Sequence, residues 1–286
     1  MTDETVRHLQ AYHTDESSER QVTVEPTKPI PVVTDHIDEA MKPEAQREEE
    51  LHVVVESRTD IGLVRQVNQD AVILFAPLFG VADGMGGHKG GEIASTECRD
   101  RLIAFLNGKQ PDPGTLEIGV KVVNRRIHIH ATEDETLSGM GTTLTCIWMG
   151  EKEVYIAHAG DSRCYLFREG ELRQVTQDHS MVMEMVRAGI ITPQQAKVHP
   201  MRNVITRAVG TDRGLSVDIT TIPRQMGDIW LICSDGLHGQ LSEDTIRKDL
   251  DLPLPEAADA LLSAVMEAGA PDNVSFVLVR DRGAQV

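Results

Sequence analysis

Aromatic residues make up only 3% of this 286-residue chain, so any core must be mostly aliphatic. Basic residues are also few: 28 Lys and Arg against 45 Asp and Glu leave a net charge of −17. Without a positive field, nucleic acid and anionic membrane are excluded as main partners. The four cysteines, Cys98, Cys146, Cys164 and Cys233, form no CxxC pair, which argues against a zinc knuckle or redox motif. Scattered reduced thiols are the default of a cytosolic protein. No apolar run reaches the ~18 residues of a membrane span, and the acidic N-terminus lacks the apolar stretch of a secretory signal. There is no internal repeat. What remains is an acidic, cytoplasmic protein, monomeric by default and long enough for one large domain or two small ones.

What is present divides near residue 50. Residues 1–50 carry thirteen acidic and five basic side chains, four prolines and no sustained apolar period. Such a segment cannot bury enough apolar surface to offset its ordering. This predicts an acidic flexible tail over 1–50, either an interaction tail or a solvated extension, and a folded domain over 51–283. Within the domain, Leu51–Val55 is β-rich, and Ala71–Phe75 and Leu78–Ala82 read as a hairpin around Pro77. Apolar stripes predict helices over 91–107 and 115–131. A β-block follows in Thr142–Met149, Glu153–Ala159 and Arg163–Phe167, then helical pieces over 180–198 with Thr192-Pro193 as a start. Asp228–Cys233 and Val274–Arg280 are strands, and Ser242–Leu250 and Pro255–Ala268 are helices. Strands in blocks, not in βαβ alternation, predict an α+β fold with antiparallel sheets.

The densest chemical signal is residues 79–91, Phe-Gly-Val-Ala-Asp-Gly-Met-Gly-Gly-His-Lys-Gly-Gly. An apolar run delivers Asp83 into a turn of bare backbone. That arrangement suits either an ordinary glycine turn or a hard cation taking oxygen from a side chain and a carbonyl. Four more aspartates flank β-runs: Asp70, Asp161, Asp235 and Asp272. Each alone reads as a turn aspartate bonded to local backbone. Five together, three of them beside glycine, read as an oxygen-only site for Mg²⁺ or Mn²⁺. Clustered carboxylates repel one another, and two cations relieve that repulsion and can activate a water between them. Arg65 is then either a surface ion-pair partner or a fork that clamps two phosphate oxygens.

In order, Arg65-x-x-Asn68-x-Asp70, Asp83-Gly84-Met85-Gly86-Gly87-His88, Gly141-Thr142-Thr143, Gly160-Asp161-Ser162-Arg163, Ser234-Asp235-Gly236-Leu237 and Asp272-Asn273 resemble one known family. It is the bacterial type of metal-dependent serine/threonine protein phosphatase, the PPM or type 2C family, and the resemblance spans about 52–282. It implies two stacked antiparallel β-sheets flanked on both sides by helices, an α-β-β-α sandwich with its metals at one end. By the same resemblance Asp83 bridges two Mn²⁺ or Mg²⁺ ions and the Gly84 carbonyl binds one of them. Asp235 and Asp272 complete the first ion's shell, Asp70 reaches the second, and Asp161 with Asp235 would hold a third. Arg65 takes the place of the phosphate-binding arginine. Residues 178–209 match a variable flap, whose His179, His199, Arg202 and Arg207 could meet substrate. Met85 stands where some relatives carry a histidine proposed as general acid. Methionine has no proton to donate, and His88 lies three residues on.

The implied activity is hydrolysis of phosphoserine and phosphothreonine on proteins by a metal-bridged water, without a phosphoenzyme, reversing a serine/threonine kinase. Phosphorylated proteins, including such a kinase, are the implied partners. A pseudophosphatase that binds phosphoproteins as a regulator is the alternative, and loss of a ligand would mark it. Every expected aspartate and Arg65 is present. Cys233 is followed by Ser-Asp-Gly-Leu and lacks the phosphate loop of a cysteine phosphatase.

Overall fold

A computed structural model describes residues 47, 48 and 51–283, without the side chains of residues 87–89. The expected flexible tail over 1–50 lies outside the described residues except at positions 47 and 48.

Among the described residues, eleven strands form two sheets. One orders as β1 (Val53–Asp60), β11 (Val274–Asp281), β10 (Ile229–Cys233), β7 (Arg163–Arg168) and β8 (Glu171–Gln174). The other orders as β2 (Asp70–Phe75), β3 (Leu78–Met85), β5 (Leu144–Met149), β6 (Glu153–Ala159) and β9 (Asp218–Pro223), with the short β4 (Gly141–Thr142) against β3. Every strand pair is antiparallel. The α+β expectation and the predicted 71–82 hairpin both stand, the hairpin as β2 and β3.

Period-two alternation sorts the side chains into three cores. On β10, Trp230 and Ile232 point between the sheets with Phe79, Val81, Ile147, Cys164 and Val277. Ile229, Leu231 and Cys233 point the other way, onto helices α6 (Glu243–Leu250) and α7 (Leu254–Glu267). The second sheet does likewise: Ile147 and Met149 face inward, while Leu144, Cys146 and Trp148 pack under α1 (Gly87–Leu106) and α2 (Pro113–Glu133). Burial on both faces is why these strands read as unbroken apolar runs. Short helices α3 (Met181–Arg187), α4 (Pro193–Lys197) and α5 (Asp235–His238) and a 3-10 turn over Glu135–Leu137 lie between these elements.

The helix ends follow from local chemistry. Asp112 accepts from the Thr115 amide at 2.7 Å, with Pro113 in the first turn of α2. Thr192 and Gln195 form a reciprocal capping box on α4. Ser242 caps α6 through the Thr245 amide at 3.1 Å. Two strands escape the sequence pattern. Both β8 and β9 are edge strands with largely exposed, polar side chains, so an apolar-run search passes over them.

Ile232 is fully buried between the sheets. Ile232→Ala is expected to lower unfolding free energy by about 2–5 kcal/mol, measured by urea titration with an unchanged m-value.

Candidate metal centre

Strand register brings the five aspartates to one end of the sandwich. Asp70 opens β2 and Asp83 lies directly across from it near the end of β3. Val81 of β3 pairs with Thr145 near the start of β5, the end of β3 pairs with β4, and Leu144 at the start of β5 pairs with Ala159 at the end of β6, two residues before Asp161. In the other sheet Cys233, at the end of β10, faces Arg163 and Phe276, near the starts of β7 and β11. Asp235 follows that strand end, and Asp272 precedes β11.

The glycines of the turn have a steric cause. A Cβ on Gly84 would stand 2.1 Å from the Gly91 carbonyl and 2.6 Å from that of Gln69. Helix α1 therefore crosses the end of β3 backbone to backbone, which only glycine permits. Asp83 is braced along its main chain. Thr143 Oγ1 accepts from the Asp83 amide at 2.9 Å, and the Asp83 carbonyl accepts from the Thr143 amide at 2.8 Å and from Thr142 Oγ1 at 2.9 Å. Ser162, beside Asp161, ties into the same brace through Thr143 Oγ1 at 2.7 Å. Thus Gly-Thr-Thr, a weak motif as sequence, fixes the backbone under Asp83.

Electrostatics show that these carboxyls sense one another. Asp83 is raised well above its ordinary value, first by burial and then by repulsion from Asp70, Asp235, Asp161 and Asp272. Burial and the charges of Asp235 and Asp178 push Asp161 to about 7. Asp235 rises to about 6 through burial and repulsion from Asp272 and Asp70. Asp70 is raised by burial too; its Oδ2 accepts from Ser234 Oγ at 2.9 Å, while its Oδ1 is buried without a partner. Arg65 Nη2 donates to Asp272 Oδ2 at 2.7 Å, and this bond, with attraction from Asp235 and Asp83, holds the guanidinium above its ordinary value. Among the described residues, no three or more His, Cys, Asp or Glu side chains stand close enough together, as placed, to hold a metal ion between them.

A supporting shell surrounds the carboxylates, and sequence reasoning gave most of it no role. His238 Nε2 donates to the Asp161 carbonyl at 3.0 Å, and burial holds this imidazole neutral, its pKa down at about 3. Arg163 grips Asp178 with two bonds of 2.9 and 2.7 Å. Asn273, next to Asp272, accepts from the Gln69 amide and donates to the Ile61 and Val67 carbonyls, at 2.8, 3.0 and 3.0 Å. The signal for Asn68, Ser162, Arg163, Ser234 and Asn273 was their place inside the quoted motifs.

In the expected flap, 178–209, the four candidate substrate residues divide. His179 is 1% exposed. Its Nδ1 accepts from the Gly160 amide at 3.2 Å, leaving Nε2 to donate to Asp218 at 3.1 Å. Its expected contact with substrate is therefore corrected: this ring clamps the segment to the Asp161 turn. Arg207 bonds Asp218 at 2.9 Å. Arg202 stays exposed and His199 half-buried. Met85 pairs with Gly141 across β3 and β4, and the His88 side chain lies outside the described residues. All four cysteines are buried, and burial lifts Cys146 and Cys233 to about 12 and the other two higher, which leaves no thiolate nucleophile. A cavity of about 630 Å³, lined by Arg47, Phe75, Lys109, Trp148 and Arg224 among others, touches none of the five aspartates.

An antiparallel two-sheet sandwich with aspartates and one arginine at its strand ends defines a class, and the comparisons agree with it. Residues 64–278 match the family described as Protein phosphatase 2C, and the chain belongs to that family. It is 39% identical over 226 residues to the serine/threonine protein phosphatase PstP of Mycobacterium tuberculosis, covering 78% of this chain but 44% of PstP. The chain thus matches less than half the length of that relative. The serine/threonine phosphatase Stp of Listeria monocytogenes is 37% identical over 239 residues, 78% of this chain and 94% of Stp. A crystal structure of PstP aligns with TM-score 0.77 at 38% identity, covering 81% of this chain and 99% of that one. The PstP catalytic domain in complex with 2 manganese ions aligns with TM-score 0.73 at 37% identity over 80% and 97% of the two chains.

The raised pKa of Asp161 has a sign that can be tested. Between the unfolded value near 4 and the folded value of about 7, the native state holds the extra proton, so this group costs stability as pH rises. In the presence of chelator, Asp161→Asn is expected to raise Tm relative to wild type at pH 8, and the gain should shrink as pH falls toward 4.

Proposed function

We propose that the chain hydrolyses phosphoserine and phosphothreonine on proteins, using two or three Mn²⁺ or Mg²⁺ ions held by Asp70, Asp83, the Gly84 carbonyl, Asp161, Asp235 and Asp272. The observation that carries this reading is the mutual repulsion of carboxyls around Asp83, with Arg65 bonded to one of them. The residues fit hard cations: the donor set is all oxygen, and Asp70 Oδ1 is buried with no hydrogen bond. When bound, such ions neutralise the cluster and supply an acidified water for in-line attack on phosphorus.

The remaining roles belong to this chain's own groups. Arg65 is half exposed, and its fork can exchange the Asp272 carboxylate for two oxygens of a phosphoryl group. Thr142 and Thr143 keep the Asp83 backbone from shifting as charge changes around it. Met85 cannot protonate the departing alkoxide, so we assign that step to water at the Asp161 end of the cluster. Direct attack by water forms no phosphoenzyme, in line with four buried, protonated thiols. The partners are phosphorylated proteins, including a serine/threonine kinase whose action the chain reverses. The protein works as a monomer in the cytoplasm, where four free cysteines would stay reduced. No described helix is long and apolar enough to cross a membrane. The full set of aspartates with Arg65 favours an enzyme over a pseudophosphatase.

Phosphate release from an aryl phosphate should require Mn²⁺ or Mg²⁺ and stop on chelation; folded protein inactive at every metal level would refute the enzyme reading. Asp83→Asn is expected to lower kcat by about 10²–10³-fold, the scale for losing one central electrostatic element. Arg65→Ala should raise KM by about tenfold or more, as for a lost charge-assisted bond. For the proton step, Asp161→Ala should slow phosphopeptide turnover, and unchanged turnover would remove Asp161 from it.

A further inference from the structure

The loop between β1 and β2 holds Arg65 and spends its other side chains in an unusual way. Ile61, Leu63, Val64 and Val67 are 38, 66, 67 and 42% exposed. Over residues 61–69 the only charged side chain is Arg65. Flexible loops can fold such groups inward, but this loop is pinned. The Asn273 side chain bonds the Ile61 and Val67 carbonyls and the Gln69 amide. The Leu63 amide donates to the Ala270 carbonyl at 2.8 Å, the Gly62 amide to Asp60 Oδ1 at 2.8 Å, and Asn68 Nδ2 to Thr59 Oγ1 at 2.9 Å. Gly62 has φ +76°, and a Cβ there would stand 2.2 Å from the Asp272 carbonyl. The main chain is thus locked against the Ala270–Asn273 segment that leads into β11, with aliphatic groups held toward solvent beside the arginine. Water-facing apolar groups on a rigid support are a surface awaiting a partner.

We propose that this loop is the recognition collar for the residues flanking the phosphorylated serine or threonine, and that it selects aliphatic or aromatic neighbours. The inference rests on the phosphatase reading above, since it takes Arg65 to be the phosphate anchor. Continuity carries it: Leu63, Val64 and Val67 lie within two residues of Arg65, so a peptide whose phosphate meets that guanidinium must lay its neighbours across them. Charge narrows the choice. The loop offers no carboxylate to a basic neighbour. Its single cation is committed to the phosphate, and a chain of net charge −17 repels acidic ones. Covering one aliphatic side chain is worth roughly tenfold in affinity.

Three phosphothreonine peptides of equal length, with Leu/Val, Ser/Gly or Glu flanks, can be compared with an aryl phosphate in Mn²⁺. The kcat/KM for the Leu/Val peptide is expected to exceed that for the Ser/Gly peptide by about tenfold, with the Glu peptide poorest. In a Leu63→Ser/Val64→Ser variant that keeps its thermal unfolding transition, the ratio between the Leu/Val and Ser/Gly peptides should collapse toward one. Equal kcat/KM for the three peptides in wild type overturns the proposal. So does a variant that lowers all substrates alike, which would make the loop a scaffold. The aryl phosphate separates the two failures: hydrolysis of it with a flat peptide series removes only the collar, whereas no hydrolysis removes the phosphatase reading as well.

Discussion

The repulsion among five carboxyls at one end of two sheets is the constraint on which the rest of the structure depends. It is a cost the fold accepts. Burial alone disfavours ionised Asp83, and four neighbouring aspartates disfavour it further. Such a cluster survives only if its backbone cannot relax away. The surrounding architecture serves that purpose: the Thr142–Thr143 brace, the backbone crossing of α1 at Gly84, the neutral His238 on the Asp161 carbonyl and the Asn273 amide across the 61–69 loop. Each acts on main chain and takes up none of the carboxylate oxygens.

The three cores explain how so small a supply of aromatics suffices. Strands buried on both faces turn nearly every position into core, so Val, Ile, Leu and Ala at close packing replace bulk. The two tryptophans then do distinct jobs, Trp230 between the sheets and Trp148 beneath the α1 and α2 layer.

Much of this was legible in the sequence, for physical reasons. Long apolar runs announced β5, β6, β10 and β11 because both of their faces are buried, and the stripe Leu116, Val120, Val123, Ile127 announced α2 because one face is. The aspartates stood out because a turn concentrates glycine where backbones touch. Edge strands β8 and β9 left no such trace, being half solvated. The clamp at His179 was equally invisible. Nothing local distinguishes a histidine that will meet substrate from one whose ring accepts a bond from Gly160, nineteen residues earlier. Leu63 and Val64 are too short an apolar stretch to mark a site by sequence; only their exposure together with the pinning of their loop distinguishes them.

The four thiols have one more consequence. Cys98, Cys146, Cys164 and Cys233 are shut inside the cores with their protons held tightly. Peroxide attacks thiolates that it can reach, and this chain presents none among its described residues. An aspartate site in a chain whose four cysteines are all buried offers such oxidants no exposed thiolate to attack.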